Sequence, residues 1–303
     1  MTSSVTVLIP AHGSSPYISE TLMSIEQNTL RPIEVLIVND GLSQSASTKI
    51  NEFRDRLPIK VLKNEGSGLV DALNTGLHSA LGQFICRIDG DDLMFPNRIE
   101  KQLELLEMNN EFVAVGSQCM YINRNSEEVG ISNYPIGNLN DNPKFQKSCL
   151  IAHPSTMYHL HSALSIGGYR SIFTWNGTDI AEDFDFWLRL SELGNIFISD
   201  EVLTKYRQHD GQISSRSLIG QLLGTPYVSL INRSDLEIDA IKIQFEGNQS
   251  TKLHYYLAII KKYLGFRTYL AIMLTLIDAK QPIWFGQSFS RRLLLRIINW
   301  LNS

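Results

Sequence analysis

The sequence predicts an α/β protein: a Rossmann-like, mostly parallel sheet with helices on both faces, followed by a helical C-terminal extension. Three observations carry this. Apolar runs of strand length alternate with helical repeats of about 10 to 15 residues through the first hundred positions, the signature of a doubly wound sheet. The first run, Val5 to Pro10, is apolar on both faces apart from Thr6, as a central parallel strand covered on each side must be. After Ser217 the chain turns helical and basic.

The elements follow in order. Val5 to Pro10 ends in Pro-Ala-His-Gly; Pro16 then stands where a proline at the first helical position would, and Ile18, Leu22 and Ile25 repeat at helical spacing. A second strand, Glu34 to Val38, stops at Asn39-Asp40-Gly41, and a helix over about Ser47 to Leu57 leads to a short strand, Ile59 to Leu62. Leu69, Ala72, Leu73, Ala80 and Leu81 mark the buried stripe of the next helix. The strand Phe84 to Ile88 runs into Asp89, Asp91 and Asp92, and Pro96 opens a helix striped by Ile99, Leu103 and Leu106. From Val113 a strand reaches Ile122, and the polar, Pro- and Asn-rich passage from Asn123 to Pro143 marks a change of sub-domain. Phe184, Trp187 and Leu188 sit at helical spacing, which places Asp183 in the first turn of a helix. The organisation expected is 1–115, 116–216 and a basic helical region, 217–303.

With 303 residues there is room for a large core or two sub-domains, and 43% hydrophobic with 19% charged residues excludes disorder. A net charge of −4 gives no reason to expect a nucleic-acid partner. From Thr251 to Ser303, however, eight Lys and Arg face a single acid, Asp278. Within that segment Leu294, Ile297, Ile298 and Leu301 form one stripe with Arg292 and Arg296 off it and Trp300 near its end. Such a helix packs on the core, lies on an anionic membrane surface or meets a partner protein. Cys86, Cys119 and Cys149 stand far apart in no metal spacing, and the N-terminus enters a strand at once, so a cytoplasmic address is expected, with peripheral contact at the inner face of the membrane. The longest uncharged apolar tract, Thr268 to Ile277, is far short of the ~20 residues that span a bilayer.

The chemistry concentrates at strand ends. Three carboxylates as close as Asp89, Asp91 and Asp92 repel one another unless a cation sits among them, and an all-oxygen set suits Mg²⁺ or Mn²⁺. A polar turn capping the strand is the alternative. Doubly wound sheets bind ligands beyond the carboxyl ends of their strands, so Asp40 and Asp89 should share one crevice. A dinucleotide there needs a Gly-rich turn, and only Gly13 is offered. Glu182 and Asp183 could simply complement a helix dipole. His153, His159 and His161 read as structural, and a lone His209 in Tyr-Arg-Gln-His is more often surface than ligand.

Taken together, Val-Leu-Ile-Pro-Ala-His, Glu-Val-Leu-Ile-Val-Asn-Asp-Gly, Ala-Leu-Asn-Thr-Gly, Arg-Ile-Asp-Gly-Asp-Asp, His-Pro-Ser-Thr-Met, Gly-Gly-Tyr-Arg and Glu-Asp-Phe-Asp-Phe-Trp-Leu-Arg-Leu resemble, in order, the blocks of family 2 glycosyltransferases with the GT-A fold, over roughly residues 4 to 215. The resemblance implies a metal-dependent, inverting transferase that takes a nucleotide-diphospho-sugar, most often a UDP-sugar, and Mn²⁺ or Mg²⁺. It implies that Pro10 and Ala11 line the nucleoside pocket, that Asp40 accepts the uracil N3 hydrogen, and that Asp89 and Asp91 form the Asp-x-Asp pair. In that pair Asp91 would be the direct metal ligand and Asp89 would stand nearer the ribose. His209 would complete the metal site and Asp183 would be the catalytic base. Asp92 is expected to anchor the loop as a helix N-terminal acid before Pro96. Two departures stand out: Asn39-Asp40-Gly41-Leu42 where Asp-Asp-Gly-Ser is common, and no Arg in Asp71-Ala72-Leu73-Asn74, for which Arg87 is the candidate diphosphate contact.

The implied acceptor is a glycan or polyprenyl-linked saccharide in bacterial surface polysaccharide synthesis, such as an O-antigen. A homodimer is left open. A nucleotidyltransferase would also place acids around Mg²⁺, but Pro10-Ala11-His12-Gly13 lacks the Lys or Arg its loop needs. A carbohydrate-binding relative without catalysis would not need Asp91, Asp183 and His209 together.

Overall fold

The computed structural model describes residues 4–175, 177–209 and 218–232. Its centre is a mixed, mostly parallel sheet with the order β3-β2-β1-β4-β9-β6-β12-β5. These strands are β1 (Val5–Gly13), β2 (Glu34–Leu42), β3 (Ile59–Lys63), β4 (Phe84–Arg87), β5 (Leu93–Met94), β6 (Phe112–Ile122), β9 (Met157–His159) and β12 (Asn195–Arg207). β7 (Glu128–Ile131) pairs with β6, β8 (Gly137–Asn138) pairs with β12, and β10 (Thr174–Trp175) and β11 (Thr178–Asp179) form a separate ribbon. β1, β2, β3 and β4 pair in parallel, as do β6 and β12, whereas β9 runs antiparallel to both β4 and β6.

The alternation of side chains across β1 builds two cores. Val5, Val7 and Ile9 point toward α1 (Ile18–Glu26), α2 (Gln44–Asn51) and α4 (Arg98–Met108), where Ile18, Leu22, Ile50, Ile99 and Leu103 meet them. Leu8 faces the other side, with Leu36, Val38 and the stripe of α3 (Gly68–Ser79), Val70, Leu73 and Leu77. That second core continues through α5 (Leu160–Ser165) and α6 (Glu182–Leu190) to α7 (Leu218–Ile231). Helices cover both faces, as the sequence requires.

Several boundaries differ from the periodicity reading. Pro16 is not the first helical residue, because Tyr17 caps α1 and the helix begins at Ile18. Pro96 likewise lies before the cap Asn97 of α4. α2 starts earlier than expected, at Gln44, because the Ser43 hydroxyl accepts the Ala46 amide hydrogen at 3.2 Å. β4 ends at Arg87, one residue short of Ile88. The polar passage after Ile122 adds its strands β7 and β8 to the main sheet.

Among the described residues no helix is long and apolar enough to cross a membrane. α7 buries Leu223, Tyr227, Val228 and Leu230 against the α6 side of the core, with Asn232 bonded to Asp185. The basic amphipathic stripe of Leu294, Ile297, Ile298 and Leu301 with Arg292 and Arg296 lies outside the described residues.

Candidate active site

Strand order reverses between β1 and β4, which opens a crevice beyond their carboxyl ends. On the β2–β3 side Asn39, Asp40, Lys63 and Asn64 line a pocket of about 350 Å³. Asp40 is fixed from two directions: Asn64 Nδ2 donates to its Oδ1 at 2.8 Å and the Gly68 amide donates to its Oδ2 at 3.0 Å. Gly68 opens α3 at φ +84°, a conformation glycine adopts without strain, so the amide can reach the carboxylate. Half-buried Pro10 and buried Ala11 lie in the second half of β1, in register with Val38 and Asn39. His12, largely exposed, contacts the Asp40 backbone carbonyl.

The turn between β4 and β5 gathers Asp89, Asp91 and Asp92, with one oxygen of each within 4.8 Å of the others. His209, beyond the end of β12, brings its Nε2 to 2.9 Å from Asp91 Oδ2. Two residues 118 apart in the chain thus meet at one point because β12 lies beside β5 and ends level with the turn. Arg87, almost fully buried, forks onto Asp89 through both terminal nitrogens at 2.6 and 2.8 Å. Its position beneath the carboxylates is held by Arg98, whose Nη2 donates to the Arg87 carbonyl at 2.7 Å and to that of Thr156 at 3.2 Å. That contact stitches the His-Pro-Ser-Thr stretch to the end of β4.

Burial pushes the Asp89 carboxyl up; Arg87 pulls it back down and Asp91 pushes it further. Asp92 is raised well above the usual carboxylate range, first by burial and then by Asp91 and Asp89. Its Oδ2 is buried without a hydrogen-bond partner. Clustered oxygens, an orphaned buried carboxylate atom and a neighbouring imidazole are the donor set of a hard divalent cation, and the residues fit one. Asp92 itself does not act as a helix N-terminal acid. Its Oδ1 accepts the Arg207 amide hydrogen at 2.7 Å, so it secures the end of β12, because α4 begins only at Arg98.

Asp183 is the second residue of α6, in the first turn behind Ala181, which adopts φ +60°, an uncommon conformation for a residue with a Cβ. Oδ1 of Asp183 accepts the Phe184 amide hydrogen at 2.8 Å, and the Cys149 thiol lies 3.7 Å from its Oδ2. Burial raises the Asp183 carboxyl, opposed by the Phe184 amide and Arg87. Glu182 beside it is pushed up to about 8 by burial and by the Asp183 charge. Below them Asp185 is fully buried between Arg170 and Arg189, which ties α6 to the Gly-Gly-Tyr-Arg turn. Asn74 completes the tie by exchanging two hydrogen bonds with the Tyr169 backbone. Gly168 sits at φ +69°, and a Cβ there would stand 2.4 Å from Asn74 Oδ1.

The structure therefore brings Asp91 and His209 into contact, sets Arg87 and Asp89 against them, and places Asp183 near enough for its charge to raise Asp89. Asp40 lines the pocket on the β2–β3 side, and Pro10 and Ala11 pair in register with Val38 and Asn39 on the neighbouring strand. His153 is buried, hydrogen-bonded to the Tyr169 hydroxyl at 2.8 Å and held well below its usual pKa by burial and Arg87, a structural histidine as expected. Sequence reasoning missed Tyr17, Glu20, Cys149 and Arg207. Only Arg207 left a signal: it stands two residues before His209, in the Tyr-Arg-Gln-His stretch that the resemblance picks out.

A mixed sheet with this order and an acidic turn at the switch point defines the GT-A class. S. aureus TarS residues 1–349 in complex with UDP-GlcNAc superposes with a TM-score of 0.60 at 17% identity, over 91% of this chain and 81% of that one. A mannosyltransferase from Pyrobaculum calidifontis, PcManGT, in complex with GDP-Man and Mn²⁺ gives 0.57 at 14% identity, over 93% and 82%. The Glycosyl transferase family 2 profile matches residues 6–165. An uncharacterised glycosyltransferase of Haemophilus influenzae is 33% identical over 224 residues, covering 70% of this chain and 67% of its own length. The amylovoran biosynthesis glycosyltransferase AmsE of Erwinia amylovora is 28% identical over 203 residues, 66% of this chain and 73% of its own. The chain belongs to glycosyl transferase family 2, and it is a glycosyltransferase.

Proposed function

We propose that this glycosyltransferase moves a sugar from a UDP-sugar to a hydroxyl of a glycan or polyprenyl-linked acceptor, with inversion at the anomeric carbon, during assembly of a bacterial surface polysaccharide. The observation that carries this reading is the contact of His209 with Asp91 at the mouth of an acidic turn that also feels the charge of Asp183. The kinship with AmsE supports the polysaccharide context. The nucleotide-sugars bound by the two structural neighbours, UDP-GlcNAc in TarS and GDP-Man with Mn²⁺ in PcManGT, support the donor class.

In this reading Pro10 and Ala11 flank the nucleoside and Asp40, held by Asn64 and Gly68, accepts the N3 hydrogen of uracil. Asp91, His209 and Asp89 would hold Mn²⁺ or Mg²⁺. A divalent cation there supplies Lewis-acid neutralisation of the charge that develops on the leaving diphosphate. Arg87 keeps Asp89 oriented and adds positive potential beneath the diphosphate. Asp183 takes the acceptor hydroxyl's proton as the new C–O bond forms and the anomeric carbon–phosphate oxygen bond breaks, releasing the nucleoside diphosphate. Burial moves its carboxyl upward, the direction a general base needs. Residues 1–115 then serve mainly the donor and 116–216 the acceptor.

The test is a thermal-shift screen of UDP-, GDP- and dTDP-sugars with Mn²⁺. A donor at 100 times its dissociation constant adds ~2.7 kcal/mol of stability, so a UDP-sugar should raise the unfolding temperature while GDP-sugars do not. A response confined to GDP-sugars would overturn the assignment of Asp40 to uracil.

A further inference from the structure

We infer that Arg207 is a positioning residue that builds the metal site by locking the chain on either side of the Asp91–His209 pair. The inference rests on reading those two residues as metal ligands. Arg207 is the last residue of β12, and its side chain is fully buried although its partners reach solvent. Nε donates to the backbone carbonyl of Asp91 at 2.7 Å. Nη1 donates to Ser126 Oγ at 2.8 Å and to the Asn123 carbonyl at 3.3 Å, both in the turn between β6 and β7. Nη2 pairs with Glu20 of α1 at 2.8 Å, and the guanidinium lies 4.1 Å from the centre of the Tyr17 ring. The backbone amide of Arg207 adds the bond to Asp92 Oδ1.

A guanidinium withdrawn from water is costly unless its fork is filled, and here every nitrogen has an acceptor. The arrangement does more than join elements. The carbonyl it grips belongs to Asp91 itself, which fixes the peptide from which the Asp91 carboxylate projects. The Tyr17 ring that Arg207 covers also contacts the His209 imidazole, with ring centres 5.5 Å apart. One side chain thus sets the direction of both partners, from the α1 side and from the β12 side.

Arg207→Lys keeps the charge but cannot hold Asp91, Ser126 and Glu20 at once. The measurement is Mn²⁺ binding to the full chain without nucleotide, read from the electron paramagnetic resonance signal of free Mn²⁺, with thermal unfolding in parallel. Loss of a residue that orients ligands weakens metal affinity by about 10- to 100-fold, and that is the expected result for Arg207→Lys. A folded Arg207→Lys chain that binds Mn²⁺ like the parent, whatever its unfolding temperature, overturns the proposal. If that variant fails to fold, Glu20→Gln and Tyr17→Leu decide: at least one must weaken Mn²⁺ binding, and parental affinity in both overturns it. His209→Ala separates the two layers of the argument. Unchanged binding in His209→Ala refutes the ligand assignment, whereas weakened binding there with parental affinity in Arg207→Lys refutes the positioning role alone.

Discussion

The acids of the β4–β5 turn and the acids that open α6 are alike in burial, Asp89, Asp91, Glu182 and Asp183 each being half-buried, and differ in what answers their charge. Asp89 and Asp91 are partly exposed and answered by a buried guanidinium and an imidazole at 2.6 and 2.9 Å. Asp183 has an amide hydrogen and a thiol as its near donors, and Arg87 acts on it and on Glu182 through its field. The first setting keeps oxygens available to a cation. Burial raises proton affinity in both settings, at Asp89 as at Asp183, and takes Glu182 up to about 8; what sets Asp183 apart is that Arg87 opposes the rise from a distance and not through a direct ion pair. The same residue type is thus divided into two roles by what surrounds it, and Arg87 is the charge both groups feel.

The strongest way to break this division is Asp183→Asn. The amide keeps the shape and the bond from Phe184 but cannot take a proton, so transfer should fall by about 10² to 10⁴, with Mn²⁺ and donor binding nearly unchanged by calorimetry. Transfer at close to the parental rate would dissolve the contrast. Asp91→Asn tests the other half. Mn²⁺ affinity should drop by more than the about 10- to 100-fold expected for a supporting residue, and excess Mn²⁺ should restore part of the rate, which it cannot do for Asp183→Asn.

Glu182→Gln gives the smallest effect and sharpens the account of α6. Folding raises the Glu182 carboxyl from 4.5 to about 8. A raised acid stabilises fully below its unfolded value and loses that contribution as pH climbs through its folded one. The parent should therefore lose stability between about pH 5 and 8, and Glu182→Gln should not. Thermal unfolding of both chains at pH 5 and pH 9 reads the difference: the gap in favour of the variant should widen with pH. An equal gap at both values would place Glu182 in water.

The alternation of β1 through α4, the two-sided burial of β1 and the acids at the ends of β2 and β4 were all legible, because burial follows backbone period and leaves a pattern in the sequence. The position of Asp183 in the first turn of α6 was legible for the same reason. Less readable were the exact starts of α1, α2 and α4, which depend on caps such as Ser43, and the role of Asp92, which looked like a helix acid and holds Arg207 instead.

By itself, then, the sequence determined a doubly wound sheet with carboxylates at the carboxyl ends of its strands, since those features are written in neighbours a few residues apart. Only the tertiary structure decided that β9 enters antiparallel between β4 and β6, that β12 returns beside β5, and that His209 consequently stands on Asp91 while Cys149 stands on Asp183. Those meetings join residues between 34 and 118 positions apart. No local period encodes them; they follow from the order in which packed strands and helices close the sheet.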